Sequence, residues 1–222
     1  MGVTVSFSGE VAVITWDDGE NRVNTDSLGA LGAVLEELAG TTGPLALVLT
    51  GVGKFFSNGL DLERFGADPG EIDAALAQLH QVLSRLLTFP AYTVAALNGH
   101  TFAAGALLSC GFDYRVMRVD RGFWCMNELD IGLPLDEKLL AILAARLGRA
   151  TLLEAILTAR RYGGAEALSA GIVEETAEES ALLERAIEVA AAMAGKDRGV
   201  LSVHKRLAFA ETVRVLGHPE YL

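Results

Sequence analysis

The chain has 222 residues, 51% hydrophobic and 21% charged, with 24 glycines and 5 prolines; this is a globular composition, long enough to bury a substantial core. A net charge of −11 without any basic run excludes nucleic acid as a partner, because phosphate binding needs clustered positive charge. No stretch reads as a secretory signal, none has the ~18 uncharged apolar residues that span a bilayer, and the C-terminal HPEYL is no peroxisomal address. A soluble, cytoplasmic protein is expected.

Residues 3–7 and 11–16 alternate apolar and polar around Ser8, Gly9 and Glu10, predicting a hairpin that Asp17-Asp18-Gly19 then turns away from. Residues 26–39 follow a helical period, with Asp26 placed to cap. LALVLT, 45–50, is an uninterrupted apolar run that predicts a strand buried on both faces, and GVGKFFSNGLDL, 51–62, is a Gly-rich loop leaving it. An amphipathic helix over 71–88 ends at Phe89-Pro90. YTVAAL, 92–97, reads as a second buried strand, Asn98-Gly99 as a turn and 103–110 as a short apolar helix; 113–117 and 122–126 read as further strands. From 135 onward the pattern is helical, with breaks at Gly148, Gly163-Gly164, Gly171 and Gly195. Strand, crossover and strand in alternation predict an α/β domain with parallel strands. The chain reads as a single domain, 1–222, with its core over 1–134 and a helical region over 135–222.

Active sites in open α/β folds lie beyond the carboxyl ends of strands. Two such ends carry unusual loops, FFSNGLDL and NGHTFAAGALL. Both put small residues where a helix begins, and free N–H groups there suit an anion or a developing oxyanion. Alternatively, Gly59 and Gly105 simply permit tight turns and close packing. The glycines fit neither GK[ST] nor GxGxxG, so a phosphate cradle is not supported. A third stretch, MNELDIGL, sets Glu128 in apolar company. Cys110 and Cys125 read as free core thiols, and His80, His100, His204 and His218 show no metal spacing, so no metal is expected.

In their order, FFSNGLDL, PAYTVAALNGHTFAAGALLSCGFDYRVM and FWCMNELDIGLPL resemble the crotonase, or enoyl-CoA hydratase/isomerase, superfamily, with the likeness running from residue 3 to 215. The resemblance implies a crotonase-like spiral of ββα units with a helical C-terminal region, an acyl-CoA thioester as substrate, no cofactor beside it, and a homotrimer or dimer of trimers. It places the oxyanion hole at the backbone N–H groups of Leu60 and Ala104. Drawing a proton from beside a thioester puts negative charge on its oxygen, and losing one fixed donor there costs on the order of 3 kcal/mol.

Family hydratases hold a water molecule between two glutamates, whose positions match Leu107 and Glu128 here. Keeping one acid implies proton transfer without water addition. One base that takes a proton from carbon 2 and returns it at carbon 4 suffices for a 3,2-trans-enoyl-CoA isomerase. A hydratase or another enolate-forming enzyme remains the alternative, its second acid drawn from Asp130, Asp136 or Glu137, unless these are solvated or cap the helix beginning near Leu135. A catalytically silent CoA-binding paralogue is the third reading. Asp61 reads as ordering the loop of Leu60, and His100 as a hydrogen-bonded loop residue. Lys54, Lys205 and Arg206 are candidates for the CoA phosphates and Arg22 for the pantetheine path, or else they are surface cations.

Overall fold

The N-terminal alternation forms the expected hairpin: β1 (Gly2–Ser8) and β2 (Val11–Asp17) pair antiparallel, from Gly2↔Asp17 to Ser8↔Val11. The computed structural model describes residues 2–67 and 70–222. Helix α1 (Thr25–Ala39) comes next, and its cap is Asn24 rather than Asp26. The Asn24 side chain accepts from the Ser27 N–H at 3.0 Å, and Ser27 Oγ accepts from the Asn24 N–H at 3.0 Å. This reciprocal box satisfies two otherwise orphaned donors, leaving Asp26 in the first turn, where it pairs with Arg64.

Three ββα units succeed α1. The first is β3 (Ala46–Gly51), β4 (Phe55–Ser57), α2 (Leu62–Ala67) and α3 (Gly70–Leu87); the second is β5 (Tyr92–Leu97), β6 (His100–Phe102) and α4 (Ala104–Cys110). The third is β7 (Tyr114–Arg118), β8 (Trp124–Cys125) and α5 (Glu128–Ile131). The 51–62 loop therefore contains a strand, the turn at Asn98-Gly99 leads into another, and Glu128 opens a short helix. Helices α6 (Glu137–Arg146), α7 (Arg149–Thr158), α8 (Gly164–Ser169), α9 (Glu179–Ala194) and α10 (Arg198–Leu216) complete the chain. They are interrupted by β9 (Glu175–Ala177), which corrects the reading of an all-helical region after 135. Its three residues pair with Val116–Arg118 at the sheet edge, which tertiary contact fixes and local pattern does not.

Each unit gives one strand to each of two sheets. The large sheet runs β1-β2-β3-β5-β7-β9, parallel from β2 onward, and the small one is the parallel trio β4-β6-β8. The central strands are buried on both faces, as their apolar runs predict. Their alternation sorts side chains by size. Val11, Val13, Ala46, Val48, Val94 and Ala96 face Ala186, Ala190 and Ala194 of α9, so that helix lies close to the sheet. Leu47, Leu49 and Leu97 point the other way, into the main core with α1, α3 and α4.

Candidate active site

The three short strands of the small sheet end side by side, and the segments that leave them meet at a single cavity of about 410 Å³. After β4 the chain is pinned by a parallel bridge to Val23: the Val23 N–H donates to Gly59 O at 2.8 Å and the Asp61 N–H donates to Val23 O at 3.0 Å. In such a bridge the middle residue's amide points the opposite way. The Leu60 N–H accordingly has no acceptor among the described residues, and Leu60 lines the cavity. After β6, the Ala103 N–H donates to Cys125 O at 2.9 Å, and Ala104 begins α4 with its own N–H likewise free.

Close packing brings these two backbones together. A Cβ at Gly59, where φ is +83°, would lie 3.0 Å from both Ala103 Cβ and Phe102 O. At Gly105 it would lie 2.7 Å from Ser57 Cβ and 2.8 Å from Ser57 O. Ala103 itself holds φ 48°, ψ −116°, a conformation that costs a non-glycine residue on the order of 1–3 kcal/mol. That strain sits immediately before the Ala104 amide.

Glu128, the first residue after the β8 exit turn, supplies the carboxylate. Its Oε2 is buried without a hydrogen-bond partner among the described residues, and burial pushes its pKa up. Leu107, 1% exposed, also lines the cavity, so no acid enters from that position of α4. Sequence reasoning missed most of the remaining wall: Ile72, Leu76 and Leu79 from α3, Leu139 from α6, and the amides Asn58 and Asn127. The helical spacing of 72, 76 and 79 signals a buried stripe, but not what the stripe faces.

The other acids considered, Asp130, Asp136 and Glu137, are all exposed; Asp136 lines the cavity edge while its Oδ1 caps α6 through the Leu139 N–H at 2.7 Å, and Asp130 and Glu137 lie outside the lining. Asp61 accepts from Asn24 Nδ2 at 3.1 Å and approaches Arg22 at 3.5 Å, tying the Leu60 loop to the start of α1. Arg22 lines the cavity and is held by Glu20 at 2.9 Å. Lys54, over the Phe55 ring, and exposed Arg206 do not line it. Lys205 is placed elsewhere altogether. It is 5% exposed, 2.8 Å from Asp113 and bonded to Ala91 O, in the interior beneath α10. His100 packs among Phe55, Phe102 and Phe123 at ring-centroid distances of 5.1–5.7 Å, outside the cavity. Both cysteines are free and buried. Among the described residues no cluster of His, Cys, Asp or Glu forms a metal site, and no helix is long and apolar enough to cross a membrane.

The fold is crotonase-like, with stacked ββα units whose exit segments meet at one cavity. The chain belongs to the enoyl-CoA hydratase/isomerase family, whose model matches residues 6–216. It is 36% identical over 203 residues to the peroxisomal enoyl-CoA delta isomerase 2 of Arabidopsis thaliana, covering 87% of this chain and 83% of the relative. Among solved structures it is similar to an enoyl-CoA isomerase of Mycobacterium tuberculosis (TM-score 0.88, 30% identity, 98% and 95% of the two chains). Human mitochondrial delta3-delta2-enoyl-CoA isomerase shares the fold at TM-score 0.90 and 24% identity, with 100% and 88% of the chains covered.

Proposed function

We propose that the protein is a 3,2-trans-enoyl-CoA isomerase in which Glu128 alone takes the proton from carbon 2 and returns it at carbon 4. The observation that carries this reading is the Glu128 carboxylate, whose Oε2 is buried without a hydrogen-bond partner among the described residues, in a cavity that α4 lines with Leu107 rather than an acid. A desolvated carboxylate is a stronger base, and an apolar neighbour keeps out the water that a hydratase must activate. The free amides of Leu60 and Ala104 receive the thioester oxygen as its negative charge develops. The chemistry needs no metal or redox cofactor, since only a proton moves. Relatives named as isomerases support the assignment. We also propose the homotrimer or dimer of trimers expected of the family, supported by the exposed Val200, Val203 and Leu207 along α10.

One observation favours a second reading. Asp136 also lines the cavity, and a hydratase would recruit it as the second acid. Purified protein given 3-enoyl-CoA should yield 2-enoyl-CoA and add almost no water to it. Hydration of 2-enoyl-CoA as fast as isomerisation would replace the one-acid mechanism with the two-acid one, and binding without turnover would mark a silent paralogue.

A further inference from the structure

Behind the cavity wall lies a titratable pair that the one-acid mechanism does not use. His80 on α3 is 5% exposed, and its neighbour Leu79 lines the cavity. The His80 Nε2 is buried with no hydrogen-bond partner among the described residues, and Asp136 Oδ2 stands 3.8 Å away. The other oxygen of Asp136 is engaged in the α6 cap, which leaves Oδ2 as the atom that is free to respond. At 3.8 Å the two groups are too far apart for a hydrogen bond, yet within the reach of an ion pair.

We propose that His80 is a positioning residue for Asp136: protonated, it holds the second carboxylate of the cavity against α3, and neutral, it releases it. The pair then sets how many free acids the acyl site presents. With His80 charged, Glu128 is the single uncompensated acid facing the developing enolate. With His80 neutral, the solvent-exposed Asp136 carboxylate is left without its partner and is available as a second proton carrier. Three charged or titratable groups act on the imidazole. Burial outweighs them and holds the His80 pKa below the usual histidine value; Asp136, capping α6, raises it, whereas Lys138 on α6 and His218, just beyond α10, lower it.

The inference rests on reading this cavity as the acyl site, and its test separates the two claims. The imidazole resonances are titrated by NMR in the whole protein, with His80→Gln identifying the His80 signal. Asp136→Asn removes the charge while keeping a residue that caps α6 well, so the fold is retained. In that variant the His80 midpoint should fall by about half a pH unit or more. Saturating the wild type with octanoyl-CoA, which has no double bond to move, should shift the midpoint. CoA alone should not, and Asp136→Asn should lose the response. An unchanged His80 midpoint in Asp136→Asn overturns the pair. A normal fall in that variant, with no octanoyl-CoA binding by the wild type, overturns the acyl-site reading and with it the pair's role there.

Discussion

Glu128 shares its cavity with mostly apolar side chains, and burial raises its pKa, its own backbone amide opposing that rise. In the unfolded chain it ionises near the ordinary value, about 4.3. Between that value and the raised folded one, the native state holds a proton that the unfolded state has released. Stability therefore falls as pH rises through this window and then levels off. Glu128→Gln removes the penalty and the base together. We expect thermal melts to show the variant more stable than wild type at about pH 8 and equal to it below about pH 4, with isomerisation reduced at least ~100-fold. Near-normal turnover would end its assignment as the base. Glu128 and Leu107 were legible in the sequence because flanking motifs frame both. His80 was not, since nothing local signals a partner that only the α3–α6 arrangement supplies.

The packing of α4 on β4 positions the Ala104 amide. Gly105→Ala would drive a Cβ against the Ser57 backbone oxygen, which cannot swing aside as a flexible side-chain end does. We expect a loss of about 1–3 kcal/mol in denaturant melts, the usual cost of overpacking. As the strand and helix separate, the isomerisation rate should drop more than the affinity for ground-state acyl-CoA; an equal drop in both would argue against a shifted oxyanion donor. Gly29 is the control within a helix, since no atom lies within 4 Å of its added Cβ. The long helices were readable from periodicity and β3 and β5 from their uninterrupted apolar runs, but which side chain faces which layer came only with the fold. The small sheet was not readable. Its strands have three, three and two residues, too few for an alternation to show, and β9 lies in the acidic stretch EETAEE, which has no strand pattern.

Across the whole molecule, Lys205 joins α10 to the large sheet: its ammonium reaches Asp113, which also accepts from the N–H and hydroxyl of Thr93. Charge alone drew it into the candidate CoA set, because a sequence does not distinguish a buried lysine from its exposed neighbour Arg206. Removing one partner of a buried pair strands the other, so Lys205→Met should destabilise by about 3–5 kcal/mol in urea melts. Acyl-CoA affinity of the folded fraction should be unchanged, and a selective loss of affinity would return Lys205 to the binding site. The same scaffold makes natural reporters of the Leu60 and Ala104 amides. Their neighbours Asp61 and Ala103 donate within the scaffold and should exchange hydrogen with solvent only on opening, while these two have no acceptor among the described residues to release. Native-state exchange should therefore find two fast amides amid slow ones, and a bound thioester should slow both. Oxyanion binding would thus be visible at the donors themselves, without a single substitution.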